Sequence, residues 1–170
     1  SDLYRFADRS SEPVTLLVNG RSVPLVLEKG FARVERRWEK GDVVELDLPM
    51  PVRRVVAHAS VEADRGRVAL QRGPLVYAAE WPDNPEGHVR NLLLPDDSPL
   101  SSELRADLLN GVQVVKGKAI ALARNERGQV LRREQELVAI PYYAWANRGP
   151  GEMAVWLANG EASARPQPFP

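Results

Sequence analysis

Short runs of branched apolar residues, each ended by a turn signal, recur along this chain and leave little room for helices. VTLLVN (14–19) meets Asn19-Gly20, a dipeptide suited to the positive φ angles of a type I′ hairpin turn, and SVPLVL (22–27) follows. Pro24 cannot donate to a ladder, so we expect the second strand at a sheet edge. The pattern predicts an all-β fold, an antiparallel, jelly-roll-like β-sandwich with at least eight strands and no helix longer than about three turns.

Two further segments carry clear strand signals. In VVELDL (43–48), Val44, Leu46 and Leu48 alternate with acidic residues, which predicts a strand with one solvated face. RVALQR (67–72) and LVYAAE (75–80) flank Gly73-Pro74, and this arrangement predicts a second antiparallel pair.

The signals are weaker in the second half of the chain. Segment 96–110 is where a short helix is predicted, beginning near Ser98 with Pro99 at its first position. VQVV (112–115) and AIALAR (119–124) are predicted as strands on either side of Lys116-Gly117. The polar segment 60–66 is the best candidate for a domain boundary or a long crossing loop. Residues 159–170 lack periodicity and are expected to be a flexible tail.

Composition excludes several classes of function. Lysine plus arginine equals aspartate plus glutamate at 23 each, so we expect neither a nucleic-acid partner nor an acidic membrane surface. No apolar run approaches the roughly 20 residues of a membrane helix. Cysteine is absent, which removes disulfides, thiolate nucleophiles and cysteine-ligated zinc. His58 and His88 stand far apart and are expected to be ordinary surface residues, so no metal site is predicted in this chain.

The chain lacks the common catalytic motifs. G-x-S-x-G, G-x-x-x-x-G-K-[ST] and H-E-x-x-H do not occur. Carboxylates are plentiful, but a glycosidase pair is defined by the distance between two carboxyl groups, and spacing in the sequence selects none. We therefore assign no catalytic residue. The compartment stays open, with an extracellular or periplasmic location slightly favoured over the cytoplasm.

The segment IPYYAWANRGPGEMAVWL (140–157) concentrates aromatic residues around a Gly-Pro-Gly turn. It predicts a hairpin that points Tyr143 and Trp145 to one face, with Tyr142 and Trp156 largely buried. Three interpretations stay open: core packing, a sugar-contacting surface and a domain interface. In the second, the candidate sugar contacts are Trp81, Tyr143 and Trp145.

Several long sequence segments resemble those of glycoside hydrolase family 127, the β-L-arabinofuranosidases once catalogued as a domain of unknown function. They are VALQRGPLVYAAEWPDN (68–84), the aromatic segment 140–157, VNG (18–20), RRWEKGDVVELDLPMPVR (36–53) and DRG (64–66). The resemblance covers about residues 1–157 and points to the C-terminal region of such a protein.

The resemblance implies that catalysis belongs to another part of the parent protein. The resemblance implies an (α/α)6 barrel followed by two β-sandwiches. In the family, the barrel holds a zinc ion bound by cysteines and a glutamate, and one of these cysteines is the proposed nucleophile. This sequence has no cysteine, so no catalytic position carries over, and zinc is expected only in the missing barrel.

On the same resemblance, residues 1–60 are expected to be the remainder of a first sandwich and residues 61–158 a complete second one. The chain begins at Ser1 without methionine, as expected of a processed chain or a fragment. The expected role is a non-catalytic accessory sandwich that packs on the barrel and stabilises or shapes it. A carbohydrate-binding module is the alternative, and a free-standing enzyme has the least support.

Overall fold

Short strands dominate the computed structural model, which describes residues 2–8 and 12–168, with side chains to residue 166. The strands in this part of the chain are β1 (Tyr4–Phe6), β2 (Thr15–Val18), β3 (Arg21–Ser22), β4 (Val26–Glu28), β5 (Phe31–Arg33), β6 (Val44–Asp47), β7 (Val52–Ala57), β8 (Arg67–Arg72), β9 (Leu75–Glu80), β10 (Leu92–Leu93), β11 (Leu100–Arg105), β12 (Val112–Arg124), β13 (Val130–Pro141), β14 (Met153–Ala154), β15 (Leu157–Ala158) and β16 (Gln167–Pro168). All their pairings are antiparallel except β10–β15 and β12–β16. The all-β prediction is confirmed.

Helical structure in the described residues is limited to single 3-10 turns, as the strand pattern predicts. These turns span Glu62–Asp64, Trp81–Asp83, Pro85–Gly87, Tyr142–Ala144 and Glu161–Ser163. None of the described helices is long and apolar enough to cross a membrane.

The chain divides into two compact units, one made of Ser1–Arg9 with Val52–Pro170 and the other of Ser10–Pro51. The division lies nearer the N terminus than the expected boundary between residues 60 and 61. The strand β7 explains the difference, because it pairs with β8 through Val52↔Arg72 to Val55↔Ala69 and so belongs to the larger unit.

The smaller unit contains a three-stranded sheet in the order β3-β2-β6 and the separate pair β4–β5. The predicted hairpin at Asn19-Gly20 is confirmed, with φ angles of 53° and 71° in the turn and Val18 opposite Arg21. Strand β3 forms the edge of this sheet and ends before Pro24. The predicted half-solvated strand is wrong for β6, because Val44 and Leu46 are more than half exposed on an edge strand.

The larger unit is organised around a closed circuit of strands. Its sheet runs β1-β7-β8-β15-β10-β12-β13-β9-β14, and β9 also pairs with β8, so six strands from β8 to β9 enclose a core. Every second residue points inward. The enclosed cluster includes Val68, Leu70, Tyr77, Ala79, Val89, Leu92, Leu94, Val115, Ala119, Ala121, Leu137, Ala139 and Leu157. The predicted β8–β9 pair is confirmed.

Two local predictions in this unit are wrong. Segment 100–105 is the strand β11 and not a helix, because it pairs along its whole length with β12 from Leu100↔Gly117 to Arg105↔Val112. Strand β12 also runs through Lys116-Gly117 without a break. Gly117 serves close packing there, since a Cβ on it would lie 2.8 Å from Leu100 Cδ2.

The C-terminal segment makes specific contacts, in contrast to the tail expected from its composition. Gln167 and Pro168 pair with the end of β12, and the backbone N–H of Arg165 donates to Arg90 O at 3.1 Å. Ser163 Oγ donates to Arg65 O at 3.0 Å.

Candidate functional site

The aromatic segment 140–157 forms a loop and not a hairpin. Strand β13 ends at Pro141, and β14 pairs with β9 through Met153↔Glu80 while β13 pairs with β9 through Pro141↔Tyr77. Strand β9 therefore lies between the two expected hairpin strands, and the 3-10 turn Tyr142–Ala144 interrupts the extended backbone. We call residues 142–152 the aromatic loop.

The aromatic loop presents its rings to solvent. Tyr143 is 68% exposed and Trp145 is 39% exposed. The burial predicted for Tyr142 is wrong, because its side chain is 46% exposed and its ring stacks on Trp145 with centroids 5.8 Å apart and an interplanar angle of 18°. Trp156, the other residue expected to be buried, is partly buried and packs against Tyr4 at 5.7 Å.

Trp81, the third candidate sugar contact, lies beneath the loop. A Cβ on Gly151 would fall 2.0 Å from Trp81 Cδ1, so the loop backbone packs directly on the indole. Trp81 is partly buried, and within the described part of the chain no group accepts a hydrogen bond from its Nε1. Tyr143 and Trp145 therefore have exposed rings, whereas Trp81 packs beneath the aromatic loop and supports it.

A buried ion cluster anchors the loop to β9 and to the 3-10 turn that follows it. Glu80 is 1% exposed, and its Oε1 accepts from the backbone N–H of Ala146 at 3.1 Å. Arg148 donates to Glu80 Oε2 and to Asp83 Oδ1, the latter at 2.6 Å. Because a buried carboxylate needs a charged or hydrogen-bonded partner, Arg148 fixes the loop in this place.

Electrostatics agree with this geometry. The side-chain hydrogen bond to Asp83, followed by the bond to Glu80, raises the pKa of the Arg148 guanidinium despite its burial.

Glu80 and Arg148 are separated by 68 positions in the sequence, so no local sequence signal could have paired them. Only the order of strands brings them together.

The described residues do not bring three potential metal ligands together. Among residues 2–8 and 12–168, no group of three histidine, aspartate or glutamate side chains could hold a metal ion, and the sequence has no cysteine. His58 contacts Ser60, and His88 Nδ1 lies 3.5 Å from Glu152 Oε1.

The antiparallel, all-β architecture with aromatic rings on a surface loop places the chain among the β-sandwich domains. Residues 52–158 match the model of the glycoside hydrolase family 127 C-terminal domain, and residues 5–50 match that of the "Beta-L-arabinofuranosidase, GH127 middle domain". The chain belongs to glycoside hydrolase family 127.

Relatives of known activity and structure agree with this assignment. The "Non-reducing end beta-L-arabinofuranosidase" of Bifidobacterium longum subsp. longum is 38% identical over 156 residues, which cover 84% of this chain and 23% of that protein. A GH127 β-arabinofuranosidase structure is 41% identical with a TM-score of 0.93, covering 98% of this chain and 26% of the other.

A third relative is the GH127 β-L-arabinofuranosidase Ara127N from Geobacillus stearothermophilus T6. It is 39% identical with a TM-score of 0.79, covering 86% of this chain and 24% of the other. The chain thus spans about a quarter of the length of the relatives that it matches.

Proposed function

We propose that this chain is a non-catalytic accessory region of a glycoside hydrolase that acts on β-L-arabinofuranosides or related plant-polysaccharide sugars. The observation that carries the proposal is its coverage: the chain matches only the middle and C-terminal domains of proteins about four times its length. The absence of cysteine from the sequence supports it, because the resemblance assigns catalysis to a cysteine-ligated zinc in an (α/α)6 barrel.

The surface of the smaller unit supports a packing role. Large apolar side chains lie exposed on its strands and connecting segments, namely Val26, Leu27, Phe31, Val43, Val44, Leu46 and Leu48. Leu27 is 66% and Phe31 is 77% exposed. Apolar surface of this kind is typical of regions that another protein segment covers. We propose the barrel of the parent protein as the partner that covers it.

The experiment removes the matching region from a full-length family member. Deleting the segment equivalent to residues 5–158 should lower the melting temperature and solubility of the remaining barrel, and separately supplied chain should restore part of both. A barrel that keeps its melting temperature, solubility and activity without this region would contradict the accessory role.

The exposed rings of the aromatic loop favour a second candidate function, a carbohydrate-binding module. Tyr143 and Trp145 offer faces on which sugar rings could stack, and the Arg148 cluster holds the loop in place. In this proposal Trp81 supports the loop from beneath Gly151.

A titration with arabinan oligosaccharides tests the second candidate by tryptophan fluorescence. Tyr143→Ala and Trp145→Ala should each weaken binding by about fivefold, since an aromatic contact contributes on the order of 1 kcal/mol. Trp38→Ala is the matched control, because Trp38 is similarly exposed in the other unit. Equal binding by all three variants and the parent chain would remove the candidate.

A further inference from the structure

A cleft in the larger unit collects arginine side chains from three distant segments. Its volume is about 360 Å³, and its lining includes Arg67, Arg90, Arg165, Asp64, Met153 and Trp156. Arg67 begins β8, Arg90 precedes β10, and Arg165 follows the 3-10 turn Glu161–Ser163. The pairing of β15 with both β8 and β10 brings these segments to one place.

The charge in this cleft is unbalanced. Three arginines line it against one acidic residue, Asp64, an excess of two positive charges among the lining residues. In the described part of the chain, the ion pairs are made by other basic residues and none involves these three arginines. The nearby Glu152 carboxylate is already engaged, since its Oε2 accepts from the backbone N–H groups of Val89 and Arg90 at 2.9 and 3.2 Å.

The cleft is also preorganised. Arg67 donates from Nη1 to Trp156 O at 3.3 Å and from Nη2 to Ser163 O at 2.9 Å, which fixes its guanidinium while leaving other N–H groups available. The backbone bond from Arg165 N–H to Arg90 O holds the other two arginine segments side by side. A guanidinium held in this way, as in Arg67, binds an anion at a lower entropic cost than a mobile one.

The lining restricts the class of ligand. A guanidinium group recognises a carboxylate through two parallel hydrogen bonds, and Trp156 and Met153 add apolar residues to the lining, suited to the C–H face of a sugar ring. Asp64 can accept hydrogen bonds from hydroxyl groups. The volume is at the lower end of the roughly 300–1,000 Å³ of small-molecule sites, which suits one sugar unit.

We propose that this cleft binds a carboxylated sugar unit, a uronic acid, at a site separate from the aromatic loop. Arg90 and Arg165 bind the carboxylate beside the fixed guanidinium of Arg67, Trp156 contacts the ring, and Asp64 accepts from a hydroxyl. The site is independent of the accessory role proposed above, because binding is measured on this chain alone and needs no barrel.

Calorimetric titration at low ionic strength tests the site with three probes: methyl β-D-glucuronide, its neutral counterpart methyl β-D-glucoside, and sodium sulfate. The glucuronide should bind saturably, and both the glucoside and sulfate should bind at least about tenfold more weakly, since they lack the carboxylate and the ring respectively. Added salt should weaken glucuronide binding.

Variants locate the binding. Arg90→Gln and Arg165→Gln should each reduce glucuronide affinity about tenfold or more, while Arg127→Gln, an exposed arginine in the turn after β12, should leave it unchanged. Because Arg90 and Arg165 are exposed, thermal melts of these variants should match the parent chain. In NMR, the Trp156 indole N–H signal, assigned with Trp156→Phe, should shift on titration.

Three results would overturn the proposal. Glucoside or sulfate binding as tightly as the glucuronide would show that the cleft does not recognise a carboxylated sugar. The same loss of affinity in Arg127→Gln as in Arg90→Gln would show non-specific charge attraction. Absence of saturable glucuronide binding would show that the cleft is not a sugar site.

Discussion

Arg148 makes the contacts on which the position of the aromatic loop most depends. Its guanidinium group satisfies the carboxylates of Glu80 and Asp83, whose side chains are 2% and 10% exposed. Removing one partner from a buried ion pair costs more than the pair itself contributes, because the other charge is left buried without compensation.

We expect Arg148→Met to lower the free energy of unfolding by about 3 kcal/mol, because Glu80 would stay buried without its cation. Urea denaturation followed by circular dichroism measures the change. Arg105→Gln is the control, since Arg105 pairs with Asp107 at the exposed surface and should change stability little. Equal effects in the two variants would contradict the anchoring role of Arg148.

Gly151 is a second residue whose identity the packing fixes. Gly151→Ala should destabilise the chain by about 1–3 kcal/mol, because the new methyl group would overlap the Trp81 indole, to which an added Cβ would come within 2.0 Å. Gly160→Ala, where no heavy atom lies within 4 Å, should be tolerated. Thermal unfolding of both variants measures the difference, and similar melting temperatures would refute the close packing of Gly151 on Trp81.

Strand pairings are predicted correctly from the sequence where the two strands are neighbours in the chain. The hairpins at Asn19-Gly20 and Gly73-Pro74 are confirmed because a two-residue turn fixes the pairing of the strands that it joins. The expected pairing within segment 140–157 is wrong because β9, which is remote in sequence, lies between β13 and β14. Periodicity indicates that a segment is extended, but it does not indicate its partner.

The same limit applies to the candidate sites. The aromatic residues could be chosen from composition, and the structure exposes Tyr143 and Trp145. The Arg148 cluster and the arginine cleft have no signature in the sequence, because their members are separated by dozens of residues and carry no motif. Segment 96–110 is predicted to contain a short helix because Pro99 suits a first helical position, whereas residues 100–105 pair with β12 and this pairing decides their conformation.

Glu152 links the aromatic loop to the segment before β10 and gives this region a pH dependence. Burial opposes ionisation of this carboxyl group, but the backbone N–H groups of Val89 and Arg90, together with His88, outweigh burial and hold its pKa below its ordinary value of 4.5. The unfolded state therefore binds a proton more readily than the folded state. The stabilisation is present above about pH 4.5 and is lost as the pH falls through the lowered pKa.

We expect Glu152→Gln to be less stable than the parent chain at neutral pH and the difference to shrink as the pH falls below 4.5. Urea unfolding at a series of pH values measures it. Glu126→Gln, an exposed carboxylate in the turn before Gly128, is the control and should track the parent chain at every pH. A loss of stability in Glu152→Gln, relative to the parent chain, that grows towards low pH would contradict this explanation.

The two units differ in how completely they bury their apolar residues. The larger unit encloses its core within a circuit of strands, whereas the smaller unit leaves Leu27 and Phe31 mostly exposed. Exposed apolar surface promotes association unless another segment covers it.

We therefore expect the isolated chain to self-associate and the double variant Leu27→Ser, Phe31→Ser to do so less, with little change in thermal stability. Light scattering after size-exclusion chromatography measures the mass distribution over a range of concentrations. The control is Leu131→Ser with Leu104→Ser, which removes two exposed apolar side chains from the larger unit. Equal association by the parent chain and both variants would show that the surface of the smaller unit is not responsible.

The most direct test of the accessory role is an activity measurement on the 170-residue chain itself. The chain and the full-length Bifidobacterium longum relative are assayed side by side for release of L-arabinose from a β-L-arabinofuranoside, with the zinc content of both measured after purification without chelators. We predict no release and no stoichiometric zinc for the chain, because it lacks the cysteine ligands that the family resemblance assigns to catalysis. Turnover by the purified chain, retained through successive chromatography steps, would contradict the account and place an active site within these residues.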